Sequence, residues 1–312
     1  MLNRRHIRAK VMQILYAQTS NNSEETLNSE LQQNFENMYS LHLLFLSLLL
    51  KLRQRAEDRQ EKAKQKFRPT QEDAHPNIRF IENALLVHLT ESESLASKLK
   101  LYNMDCWEHD GEYVELIFQE MIQSKLYQSY MNSTENTFNK DKLFIVDLFK
   151  EIIAPNEKLY DYLEDKNLTW IDDLPVVNTA LVKLFNKLKE NSGDTFFTPL
   201  LFKDKDDEAF GTLLLSKTIA NKSILNEEII GNTKNWDKDR IASIDFVLLQ
   251  MAICELKEFP SIPTKVTINE YIELAKDYST PKSNVFINGV LDKIVRDYNE
   301  KKTLNKKGRG LM

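Results

Sequence analysis

Glycine and proline are scarce, seven and eight in 312 residues, about 5% together where soluble domains average about 12%. Hairpins and tight reversals draw on both residues, so the shortage excludes a β-rich fold with many turns. Leu, Lys, Glu and Gln fill the gap, which is helix-forming composition; the chain is read as all-α. Cysteine is nearly absent. Cys106 and Cys254 cannot make a disulfide framework and suit a reducing cytoplasm. Long apolar runs are missing too. The greasiest, residues 41–50, is broken by His42 and Ser47 and falls short of the roughly 20 residues a membrane span needs. A buried helix is expected there, with no membrane partner. Arg4-Arg5 is followed by neither an apolar region nor a small-residue cleavage site, so an export signal is not expected.

Catalytic signatures are lacking as well. The glycines are scattered singly and form no phosphate-cradling loop. Cys106-Trp107-Glu108-His109 has C-x-x-H spacing without the second ligand pair that a tetrahedral zinc site requires. His42 and His88 lie in apolar stretches and read as core or edge histidines. The acidic run at 204–208 reads as a solvated loop, and Cys254 as a buried, inert thiol. No catalytic residue, metal or cofactor is expected.

What is present is charge, unevenly placed. The formal net charge is −5, yet residues 1–10 carry Arg4, Arg5, Arg8 and Lys10 without an acid. Residues 301–312 carry five cations, again without one. The remainder, residues 11–300, holds 33 basic and 47 acidic residues, net −14. Cations concentrated at the two ends of an acidic chain are candidate phosphate-contacting surfaces, although a terminal basic tail can equally serve solubility. A third basic run, residues 51–68, holds eight cations and three acids; its default reading is a solvated helical face, with an extra RNA contact as the alternative.

Apolar periodicity places the helices. Ile7, Val11, Ile14 and Leu15 stripe a first helix over residues 3–18, and residues 20–29 read as a polar loop. A long helix is expected over residues 35–66, ended by the prolines of 67–77. Further helices fall near 78–89, 113–131 and 142–153, and residues 241–256, apolar nearly all round, read as the central buried helix. Phe144, Leu148, Ile153, Leu159, Trp170, Asp173 and Leu181 align, at an offset of 66, with Phe210, Leu214, Ile219, Leu225, Trp236, Asp239 and Val247. That is either a partial duplication of a helical unit or a match that amphipathic helices produce by chance.

The most specific stretch is residues 262–294. Ile268, Ile272 and Ala275 stripe one short helix; Thr280 is the expected N-cap of the next, with Pro281 at its first position. Ile287, Val290, Leu291 and Ile294 form that helix's apolar face. Gly289, costing about 1 kcal/mol relative to alanine inside a helix, suggests a close approach to the backbone.

This stretch resembles the C-terminal signature of the NusB family of bacterial transcription antitermination factors. The likeness is carried by Ile262-Pro263, Lys265-Val266, Ile268-Asn269-Glu270, Glu273-Leu274-Ala275-Lys276 and Phe286-Ile287-Asn288-Gly289-Val290-Leu291-Asp292-Lys293. Arg4-Arg5-His6-Ile7-Arg8, followed by Gln13-Ile14-Leu15-Tyr16, is similar to that family's first helix, and residues 208–230, then Trp236-Asp237 leading into Arg240, to its middle helices. The resemblance implies a NusB-like helical bundle from residues 1–20 and 201–300. Residues 21–200 would be a helical insertion of unknown role, and 301–312 a basic flexible tail.

It also implies partners: single-stranded boxA-type RNA, the small-subunit ribosomal protein NusE, and the RNA polymerase antitermination complex on nascent ribosomal RNA. On that basis Arg4, Arg5 and Arg8 are assigned to phosphates, Phe286 to a stacked base, and Ser283 and Asn288 to polar RNA contacts. Lys282, where the family commonly carries an acid, would add another phosphate contact. Tyr16 and Asp245 are the candidate NusE contacts. Two other readings stand beside this one: a helical protein-binding scaffold, and a NusB-like domain of the kind fused to RNA methyltransferases, although only a basic tail follows here.

Overall fold

The computed structural model describes residues 2–18, 23–68, 70–233 and 241–306. Among them there is no strand, as the composition predicts, and no helix long and apolar enough to cross a membrane. In chain order the helices are α1 (Arg4–Ala17), α2 (Glu24–Lys64), α3 (Gln71–Ala74), α4 (Ala84–Glu91), α5 (Glu93–Leu101), α6 (Cys106–His109), α7 (Gly111–Gln123), α8 (Lys125–Asn132) and α9 (Phe138–Leu148). After α9 a π-helical turn, Phe149–Ile153, precedes α10 (Glu157–Lys166) and α11 (Trp170–Lys187). A 3₁₀ turn, Asp194–Phe197, leads to α12 (Lys205–Ala220), α13 (Lys222–Asn232), α14 (Ser243–Glu258), α15 (Thr264–Tyr278) and α16 (Ser283–Lys301). The chain forms two compact units, Met1–Phe35 with Leu201–Met312, and Glu36–Leu200. Trp236, Asp237, Asp239, Arg240 and the tail from residue 307 lie outside the described residues.

The first unit joins the two ends of the chain. Asn3 caps α1, its side chain accepting from the His6 N–H at 3.1 Å. Ile7, Val11, Met12 and Ile14 are then buried against α12 and α14. Gly211 of α12 makes that packing close: a Cβ there would stand 2.9 Å from Ile7 Cγ2 and 3.1 Å from Phe35 Cζ. Of the expected loop at 20–29, residues 20–22 lie outside the described residues and 24–29 are instead the start of α2. Leu27, Leu31 and Phe35 recur at i, i+4 and i+8 and are fully buried, and this apolar stripe outweighs the polar residues between them. Gly289, by contrast, is exposed, and among the described residues a Cβ there would meet nothing within 4 Å.

α14 is the central helix. Leu248, Leu249, Met251, Ala252, Ile253, Cys254 and Leu256 are buried, and so are Gln250 and Glu255. α15 and α16 form a helical hairpin packed on it. α16 begins at Ser283, two residues later than Pro281 suggests, because the Ser283 hydroxyl is tied both to Thr280 Oγ1 at 2.8 Å and to Asp245.

The second unit has its own core. Leu41, Leu43, Leu46, Leu48 and Leu49 are essentially inaccessible, so the greasiest run is a buried helix. His42 Nε2 donates to the Phe197 carbonyl at 3.0 Å, and burial holds its pKa down to about 4, so the imidazole is neutral. Aromatic side chains fill the rest: Tyr130 stacks on Phe144 at 4.0 Å, and Phe149 meets both Phe45 and Phe185 edge-on. A polar knot is sealed beside them. Asn83 donates to Tyr130 Oη and to the Asp141 carbonyl, each at 3.0 Å; Tyr130 donates to Asp141 Oδ1 at 2.8 Å; and Asp141 Oδ2 accepts from Ala84 N at 2.9 Å. The order of α9, α10 and α11 matches that of α12, α13 and α14. In each trio the third helix packs on the first.

Candidate nucleic-acid interface

The start of α1 faces the loop before α15 across a cleft of about 470 Å³, lined by Asn3, Arg4, Arg5, His6, Val266 and Glu270 among others. Arg4 Nε donates to Asp207 Oδ1 at 2.6 Å, and its guanidinium lies 5.1 Å from the Phe210 ring centre. Arg5 binds Glu270 through Nε at 2.9 Å and Nη2 at 3.0 Å. That hydrogen-bonded pair raises the Arg5 pKa and lowers that of Glu270. The Arg4 and Arg5 side chains remain 35% and 42% exposed. Each carboxylate thus aims a guanidinium while leaving other N–H groups of its fork for a ligand. His6 contributes no charge at neutral pH, since burial and then the Arg5 cation hold its pKa down to about 4.

Arg8 also lines the cleft but offers it almost no surface. It is 2% exposed, with Nε and Nη2 bidentate on Glu255 at 2.7 and 2.8 Å. Burial works against its charge, but the Glu255 hydrogen bonds and attraction outweigh burial and raise its pKa. Glu255 also accepts from Thr267 Oγ1 at 2.8 Å and Tyr271 Oη at 3.2 Å. The assignment of Arg8 to a phosphate is corrected: its guanidinium serves the core.

The α15–α16 turn corrects three further assignments. Asp245, in the first turn of α14, is 4% exposed and accepts from Ser279 Oγ at 2.6 Å and Ser283 Oγ at 2.7 Å. It fastens the turn, where two helix N-termini favour a carboxylate, and offers no carboxylate to NusE. Ser283, 2% exposed, is the other half of that clasp rather than an RNA contact. Phe286 is 7% exposed. It stands at i, i+4 and i+8 with Val290 and Ile294, so its ring joins the core stripe and cannot stack on a base. The outward face of α16 is built instead by Lys282, Val285 and Gly289, all exposed, with Asn288 half-buried at its edge. Val285, 70% exposed, was missed, although its i+3 spacing from Lys282 could have shown it. Tyr16 is 57% exposed in the last turn of α1. Glu270, which holds Arg5, and the turn that carries Lys282 are separated along α15 by about 12 Å of helix.

The NusB family model matches residues 179–296. A transcription antitermination protein NusB from Salinibacter ruber is 43% identical over 112 residues, 36% of this chain and 70% of that protein. Its counterpart from Chloroherpeton thalassium is 40% identical over 99 residues, 32% of this chain and 47% of the relative. One from Natranaerobius thermophilus is 40% identical over 87 residues, 28% and 63% respectively. No solved structure matches the chain. The class is therefore an all-helical factor with a cation-bearing cleft at its first helix. The chain belongs to the NusB family. The family match begins within α11, so α1 and residues 18–178 lie outside it.

Proposed function

We propose that the protein is a non-enzymatic, RNA-binding transcription antitermination factor, acting with NusE on boxA-type sequences of nascent ribosomal RNA. The supporting observation is the pair of half-exposed guanidinia, Arg4 and Arg5, each oriented by a carboxylate at the mouth of one cleft. Oriented, partly desolvated arginines are the side chains that hold phosphates in a fixed register. Lys282 and Asn288 extend the contact along the outward face of α16, and Tyr16 offers NusE an exposed aromatic at the far end of α1.

The test is the Arg4→Ala/Arg5→Ala chain against a fluorescent boxA RNA over a salt series. Two lost phosphate contacts lower the log–log salt slope by about 1.4 on a single strand. Half-exposed ion pairs are worth about 0–1 kcal/mol each, so melting temperature should scarcely move. An unchanged slope and affinity reject the cleft as the RNA site. Tyr16→Ala, assayed with purified NusE, examines the second partner, and undiminished binding removes Tyr16 from that surface.

A further inference from the structure

We propose that the C-terminal end of α2, together with the bend that follows it, is a second single-stranded nucleic-acid contact, built from residues of the inserted unit and separate from the α1 cleft. Residues 59–68 hold five cations and one acid. Arg59, Lys62, Lys64 and Arg68 are all exposed, and among the described residues no carboxylate pairs with Lys62, Lys64 or Arg68. Between these cations stands Phe67, 97% exposed. Leaving a phenylalanine ring in water forgoes the free energy of its burial, yet the segment is held so that the ring stays out. Gln60 Nε2 donates to the Asn77 carbonyl at 2.9 Å, Asn77 Nδ2 to the Met131 carbonyl at 2.9 Å, and Lys66 pairs with Asp73 at 2.8 Å.

A ring presented among unpaired cations has the two elements a single strand needs, a stacking platform and a track for phosphates. A membrane surface is the poorer fit, because residues 59–68 offer no apolar helix face beside the one ring. An acidic protein would use the cations and leave the ring unexplained.

The full-length chain is tested with a fluorescein-labelled oligouridine by anisotropy over a salt series. Phe67→Ala should weaken binding about five- to hundredfold. The Lys62→Glu/Lys64→Glu/Arg68→Glu chain should lower the salt slope by about 2 or more, and neither should shift the melting temperature. Wild-type affinity and slope in both variants overturn the proposal, as does unaltered RNA binding accompanied by lost binding to polyglutamate or to phosphatidylglycerol vesicles. The two RNA surfaces fail separately: a defect in the Arg4→Ala/Arg5→Ala chain alone leaves the cleft standing and removes this contact, whereas a defect in the α2 variants alone does the reverse.

Discussion

Each of the two units buries a carboxylate, and they neutralise it by different means. In the first, Glu255 meets the Arg8 guanidinium with two hydrogen bonds, backed by Thr267 and Tyr271. In the second, Asp141 has the Tyr130 hydroxyl and the backbone N–H at the start of α4. The ionic pair joins residues 247 positions apart; the knot around Asn83 spans 58. The unit made from the chain's two ends is locked by opposite charges, and the inserted one by hydrogen bonds and stacked rings. A charge pair specifies which distant segment must arrive, while stacked rings suffice where neighbours are already close. Loop closure grows only logarithmically with length, so a unit locked in this way can hold a long insertion between its halves.

The largest test of that contrast is Glu255→Ala. It strands the Arg8 guanidinium in a dry core and should cost about 3–5 kcal/mol, read by urea unfolding followed with circular dichroism. A loss below about 1 kcal/mol would mean that the pair is not the lock. Acid examines the other unit. Between pH 6.5 and pH 4 an unfolded chain protonates His42, whereas the folded one refuses the proton. Stability should therefore be level above 6.5 and fall by roughly 3 kcal/mol as the pH drops through that window. Trp107 and Trp170 report on this unit by fluorescence, and His42→Gln, which keeps a donor for the Phe197 carbonyl, should flatten the response; an equally steep loss in that variant would assign it elsewhere. Asn83→Ala should have the smallest effect, about 2 kcal/mol for the lost cap and the unsatisfied Tyr130–Asp141 partners, again followed by tryptophan emission. A cost above that of Glu255→Ala would invert the comparison.

Much of this architecture is legible from periodicity. Residues 241–256, apolar on every side, become the buried centre as α14, and Asn3 starts α1 as its position suggests. The errors share one cause, polar residues judged by type rather than by register. Arg8 stands four and seven residues before Met12 and Leu15, on a buried face, and Glu255 lies among buried apolar residues of α14. An acid so far inside a buried helix is the signal that a partner must meet it, as serines meet Asp245 in the first turn and Arg8 meets Glu255. Phe286 shares the same register as Val290 and Ile294, yet its likeness to an RNA-contacting motif outweighed that spacing. Arg4 and Arg5, one turn nearer the terminus, stay at the surface and keep their expected exposure. Nothing in spacing alone could disclose Gly211, because the neighbours that demand a missing side chain, Ile7 and Phe35, come from remote segments.

The partnership of α1 with α12 and α14 has a temporal side. During synthesis α1 precedes α12 by roughly 190 residues, a delay of about 10–40 s at ordinary elongation rates. During that interval Ile7, Val11 and Met12 lack the α12 and α14 side chains that help bury them in the finished molecule. A nascent chain of this protein thus carries α1 as an uncovered amphipathic segment while residues 36–200, a compact unit in themselves, are translated after it.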